Sequence, residues 1–325
     1  MAVTIKKTDS MSQIQTKLDK RGSIIFQAGT YKITKQLVIS KGTVLDLNGA
    51  VLQRKASIQS VFLNKVAKSN TGYSADGNII IKNGTIEGMG GYSYDNLMTF
   101  FHSHDIEISN MVFKDTLCHA IEFNGCSDVT VRNCRFLGRN LKSTDDAFRE
   151  LIQLDHSGAG AFFLSGSTKS SPCYDKTPCA NVTITDCYFG KSEYRDYPYA
   201  CIGNHTQMYQ GIQHSNIKII GNEFRCKHSP LLQPCLSFIS MRDVIVRDNK
   251  FDCDKIARIY SKPESWKTNG TKVNPYTGDG VCTNIIITDN VTNCSYEDAF
   301  KQFTSTGKKH TCIVKKPNIF NAKSM

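Results

Sequence analysis

The chain has 325 residues, 40 Lys+Arg against 29 Asp+Glu, a formal net charge of +11, 13 Cys and 8 Pro. Hydrophobic residues at 40% and charged residues at 21% fit a globular chain with ample core material and exclude a disordered or coiled-coil one. No run of 18 apolar residues occurs, so no membrane span is expected, and an odd number of cysteines spread over a long chain argues against a disulfide scaffold.

Taken in chain order, the start MAVTIKKTDSMSQIQ lacks an apolar h-region, so no secretory signal is expected. Ser10 is placed to N-cap a short helix, with Ile14 and Leu18 on one face and Gly22 beyond its end. The stretches GSIIFQAGTYKI, KQLVIS and TVLDLNGAVLQ then read as short strands.

From Asn78 onward one pattern recurs seven times: NIIIKNGTI, DIEISNMVF, DVTVRNCRF, NVTITDCYF, NIKIIGNEF, DVIVRDNKF and NIIITDNVT. Each opens on Asn or Asp, with aliphatics one and three residues later, a small or polar pair at offsets five and six, and usually a large apolar residue at offset eight. The last copy departs from this with Thr292. Alternation with β-branched residues predicts half-buried strands, and the polar pair predicts a bend. Asn222, Asn249 and Asn290 share offset six and are expected to stack as an amide ladder. The starts are 27, 23, 53, 35, 27 and 41 residues apart. The shortest spacing is one turn of a parallel β-solenoid, and the others are that turn plus a loop. A β-sandwich would not repeat one inside/outside code seven times in register.

The capping helix, the GTYKI and TVLDLNGA entry and the repeated Asn/Asp–Ile/Val–x–Ile/Val turns resemble the right-handed parallel β-helix proteins of the pectin-lyase-like superfamily. The likeness spans about residues 10 to 295 and is strongest to β-helix proteins of bacterial prophages and bacterial surfaces. It implies an all-β, single-domain solenoid: an N-terminal cap over 1–22, a β-helix over 23–297 and a C-terminal cap or tail over 298–325. It also implies a polysaccharide or cell-wall glycan as partner, since members mostly cut or epimerise polysaccharides and some are phage tail depolymerases.

Cys126, Cys179 and Cys282 each lie two residues before a repeat start, and Cys134 and Cys187 both occupy offset six. Such register-locked cysteines are expected to be small core residues. Cys173 and Cys179 share a loop and are the candidate disulfide, while the other cysteines are read as reduced thiols. No CxxC pair occurs, so no metal site is expected.

The strand before each repeat start carries the candidate site. Alternation aims Glu122 and Asn124 outward on one turn, Gln153 and Asp155 on the next, and Gly203 and His205 on the third. Thr99 and Phe101 precede them, and Ser237 and Ile239 follow. Strand spacings put Glu122 and Asp155 about 8 Å apart, which leaves room for a water between two carboxylates, as inverting glycosidases require. Glu122 and Asp155 are therefore read as acid and base in either order, with His205 and Glu150 as supporting catalytic candidates. Gly203 is read as space for a sugar ring. His119, Asn124, Gln153, His156, Asn204, Arg258 and Tyr194 are the substrate-binding candidates, and the insertions 140–149, 156–180 and 190–199 are expected to wall one groove. The paired Asp-Asp and Gly-His-Gly motifs of β-helix polygalacturonases are missing, so their mechanism is not carried over.

Three functions compete. The first is an endo-acting glycoside hydrolase on a bacterial surface or exopolysaccharide, a phage tail-associated depolymerase being one form of it, needing no cofactor. The second is a polysaccharide lyase or uronate epimerase, in which Ca²⁺ would bridge the acidic stripe and an acidic substrate. The third is a non-catalytic receptor-binding tail protein. A virion tail or extracellular surface, reached after cytoplasmic synthesis, is the expected location. No nucleic-acid motif is present. The oligomeric state is left open, a trimer included.

Overall fold

A computed structural model describes residues 2–88, 96–139, 150–204, 212–226, 234–260, 267–268, 271–272, 280–294, 300–303 and 311–314. The chain winds as a parallel β-helix with three faces. The first face stacks strands such as Ile79–Glu87, His104–Thr116, Ser127–Arg132, Ala180–Thr185, Ser215–Ile220, Arg242–Arg247 and Thr283–Thr288. Past a bend, the second face stacks Arg135–Arg139, Tyr188–Gly190, Glu223–Arg225, Lys250–Asp252 and Val291–Thr292. The third face is a separate nine-stranded parallel sheet running from Leu37–Ile39 to Phe300–Phe303.

The predicted columns coincide with the observed register. Ile79, Ile106, Val129, Val182, Ile217, Val244 and Ile285 pair in sequence up the first face. On the second face Phe113, Phe136, Phe189, Phe224 and Phe251 stack with ring centroids 4.9, 4.7, 4.8 and 4.8 Å apart. The seven opening Asn/Asp residues all hold φ between 51° and 55°, the left-handed region that Asn and Asp tolerate best. Their side chains bond from turn to turn, as in Asn216 Nδ2 to Asn181 Oδ1 at 2.8 Å and Asn181 Nδ2 to Asp128 Oδ1 at 2.9 Å. The amide ladder also forms: Asn222 Nδ2 donates to Asn249 Oδ1, and Asn249 Nδ2 to Asn290 Oδ1, both at 3.0 Å.

The helix Met11–Leu18 has Ser10 as N-cap in a reciprocal capping box with Gln13, and buries Ile14 and Leu18. A strand the sequence did not suggest, Val3–Ile5, precedes it and pairs with Gly22–Phe26, so parallel pairing begins inside the 1–22 segment. Likewise Phe300–Phe303 and Cys312–Val314, within the 298–325 segment, continue the third and first faces. Cys126, Cys179 and Cys282 are fully buried, and Cys173 and Cys179 are both free thiols.

Candidate functional site

The third face differs from the first in being covered on both sides. Every residue of Asn96–Phe101, Ile121–Asn124, Ile152–Asp155 and Leu236–Ile239 is buried, whereas Ser127–Arg132 alternates. The expectation of a solvent-facing polar stripe is therefore corrected: Glu122, Gln153 and Asp155 are only 2%, 3% and 1% exposed. Part of the cover is the 156–180 insertion, which folds back over earlier turns. Phe162 and Tyr174 pack on Phe101 at 5.4 and 6.0 Å, and Leu63, Leu164 and Cys173 complete an apolar cluster outside the solenoid.

The register of the stripe is as read from sequence. Glu122 pairs with Thr99 and Gln153, Asn124 with Phe101 and Asp155, and Gln153 with Gly203, which pairs with Ser237. Two carboxylates thus sit diagonally on adjacent turns, about 8 Å apart by strand spacing. Asn96 Nδ2 donates to Glu122 Oε2, and Gln153 Nε2 donates to Asp155 Oδ2. Both amide atoms of Asn124, and Oε1 of Gln153, are buried with no hydrogen bond. Buried polar groups are ordinarily paired, so this cluster of unmet donors and acceptors is the chemically distinctive part of the face. Asn96 was missed in sequence. Its signal is an amide at the head of the largely apolar strand Asn96–Phe101, 26 residues before its partner.

A second group lies three turns along the same outer column. Arg258 pairs in register with Ser237 and its guanidinium donates to Ser237 Oγ at 2.9 Å. Burial lowers the Arg258 pKa, and the Glu150 carboxylate opposes that shift. A Cβ at position 203 would lie 2.7 Å from both Cβ and the carbonyl oxygen of Ser237, and 3.1 Å from Glu150 Oε1. Gly203 therefore accommodates Ser237 and Glu150, not an open sugar subsite. Glu150 precedes the strand Ile152–Asp155, at a corner of the turn, and its carboxylate reaches the outer column beside Gly203.

The other candidates divide. His119 Nδ1 donates to the Glu150 carbonyl at 2.5 Å, linking adjacent turns at the corner. Asn204 is fully buried, and its amide clamps the backbone of Ile239 through two 2.8 Å hydrogen bonds. Asn64 makes the same clamp on Phe101, so Asn204 is a repeated structural device. His156 packs on His214 with ring centroids 4.1 Å apart, and its Nε2 donates to the Ile212 carbonyl. Burial pushes the His156 pKa down to about 4. His205 and the 140–149 insertion lie outside the described residues. Tyr194 is not near the carboxylates. It is 72% exposed and lines a cleft of about 420 Å³ on the second face with Gln53, Glu87, Lys114, Asp115, Glu193 and Arg195. Ser192 Oγ ties that loop to Asp115 at 2.6 Å. The insertions expected to wall one groove thus lie on different faces, because 190–199 follows a second-face strand and 156–180 a third-face strand.

The third-face column presents two buried carboxylates, amide atoms with no hydrogen bond and a guanidinium. Glu122, Asn124 and Asp155 are the oxygen donors that a hard cation would use. The three-faced parallel solenoid is the fold of the pectin-lyase-like parallel β-helix proteins. No family model matches the sequence. A curated relative, the plasmin and fibronectin-binding protein A of Streptococcus pneumoniae, is 29% identical over 261 residues, 71% of this chain and 34% of its own. The chain thus spans about a third of the length of the curated relative it matches. Among solved structures, the S. pneumoniae surface adhesin PfbA aligns with TM-score 0.71 and 22% identity over 93% of this chain and 76% of its own. The exopolygalacturonase of Thermotoga maritima aligns at 0.58 and 10%, over 96% and 78%. The tailspike of E. coli bacteriophage HK620, solved with a pentasaccharide, aligns at 0.56 and 14%, over 88% and 47%. No helix among the described residues is long and apolar enough to cross a membrane.

Proposed function

We propose that the protein is a polysaccharide-degrading enzyme acting at a bacterial surface or on an exopolysaccharide, with Glu122 and Asp155 as the acid and base of an endo-acting glycoside hydrolase. The observation that carries the reading is the set of buried, unpaired amide atoms on Asn124 and Gln153 beside the two carboxylates. A hydroxyl-rich ligand supplies both donors and acceptors to such groups, and a pair about 8 Å apart admits the water that inversion requires. Glycan-linked relatives on the same fold, a tailspike with its oligosaccharide and an exopolygalacturonase, support the substrate class. Because both carboxylates are buried, the substrate enters by displacing their cover. The test is reducing-end release across a polysaccharide panel. E122Q and D155N are expected to lower turnover by about 10²–10⁴-fold, and unchanged turnover on a cleaved substrate would refute the assignment. An unsaturated product would assign a lyase instead.

A second reading, a glycan-binding module of a surface or tail protein, is favoured by the open second-face cleft. There an exposed Tyr194 ring stands beside charged and amide groups, an arrangement suited to stacking on a sugar. Retention of a polysaccharide without release of ends, abolished by Tyr194→Ala and untouched by E122Q, would select it.

A further inference from the structure

Away from the outer faces, the interior of the solenoid holds an unusual gathering of sulfur. Cys201 and Cys235 precede the adjacent third-face strands Ile202–Gly203 and Leu236–Ile239, and Cys201 N–H donates to the Cys235 carbonyl at 2.8 Å. Cys226 follows the second-face strand Glu223–Arg225 and reaches the same corner from the opposite side. The three Sγ atoms lie within 4.8 Å of one another, Cys201 and Cys226 at 3.5 Å, and all three residues are buried. A d¹⁰ cation bound about 2.3 Å from three thiolates needs sulfurs about 4.0 Å apart, so the cluster is close to coordination geometry as folded. Because the ligands come from three strands, no CxxC spacing announces them.

Packing alone does not call for sulfur at this corner. On the preceding turns the residue ahead of the third-face strand is Ala120 or Leu151. Charge is provided for as well: three thiolates around a divalent ion carry one net negative charge, and the buried Arg139 guanidinium acts on Cys201.

We propose that Cys201, Cys226 and Cys235 form an internal thiolate site for a soft divalent d¹⁰ cation of the zinc and cadmium class. Soft thiolate donors select such ions over calcium or magnesium. Enclosure in the solenoid means that the ion enters as the chain folds. The full chain, refolded anaerobically under a non-thiol reductant with Cd²⁺ or Zn²⁺, is expected to retain about one ion per chain after desalting into a weak chelator. It should also show thiolate-to-cadmium charge-transfer absorption. C201S is expected to weaken retention at least about a hundredfold, more than loss of an outer-shell partner does. C134S/C187S, which alters a separate buried thiol pair, should leave retention intact. If C201S does not fold, the conservative C235A and the wild-type stoichiometry decide the matter. Folded wild-type protein that retains no Cd²⁺, or retention unchanged by both C201S and C235A, overturns the site.

Discussion

The strand Ile121–Asn124 on the third face and the strand Ser127–Arg132 on the first are separated by two residues, but their outer surfaces have opposite fates. On the first face, outward residues meet water and pair lightly across turns, as Arg132 does with Glu107 at 2.6 Å. On the third, outward residues are buried and must find partners, and Asn124 finds none. A solvent-facing column tolerates nearly any polar residue, because water satisfies it. A covered polar column is destabilising unless something pairs it, which makes it the informative one.

The largest test of this contrast removes the interior that both faces share. Phe189 is stacked between Phe136 and Phe224, so Phe189→Ala is expected to cost about 3–5 kcal/mol in urea denaturation. Phe163→Ala, at a ring 44% exposed, is expected to cost about 1 kcal/mol or less. Similar losses would mean that the outer cover is as integral as the core.

The corner between the faces supplies a smaller effect. Burial lowers the pKa of His156 from 6.5 to about 4, and burial lowers that of His214 also. Both imidazoles bind fewer protons folded than unfolded below pH 6.5. Stability is therefore complete above that pH and is lost as the pH falls toward 4. His156 alone accounts for about 3 kcal/mol. His156→Asn should flatten a stability profile measured from pH 7 to pH 4, and an unaltered slope would show that the pair does not titrate on unfolding.

The smallest effect bears most directly on function. Asn124→Leu replaces an unpaired buried amide with an apolar group of similar size, so it is expected to stabilise the fold by roughly 1 kcal/mol while abolishing glycan turnover or binding. A variant that loses stability would break the idea that this amide is kept for a ligand.

The sequence made the fold legible because a solenoid repeats its constraints. Every turn must place β-branched residues at offsets one and three and a left-handed Asx residue at the bend, so seven copies could be laid in register. The site was half legible. The pairing of Glu122 with Gln153 and of Asn124 with Asp155 follows from the same repeat. Exposure does not, because the covering residues Phe162 and Tyr174 are remote in sequence from Leu63 and Phe101, and local alternation carries no trace of them. Glu150 at a corner and Tyr194 in a loop could not be positioned from sequence, because strand parity does not apply there.

The fold-back of the 156–180 insertion has a mechanical consequence. Cys173 N–H donates to the Lys68 carbonyl at 3.1 Å, Gly72 N–H to Asp175 at 2.7 Å and the Tyr73 hydroxyl to the Pro178 carbonyl at 3.0 Å. These bonds join a loop after the fourth of four successive third-face strands to the loop after the first. A plain solenoid can fray one turn at a time from either end. Here four turns are fastened by a clasp, so under tension or in hydrogen exchange they should open together, as one cooperative block within an otherwise segmental rod.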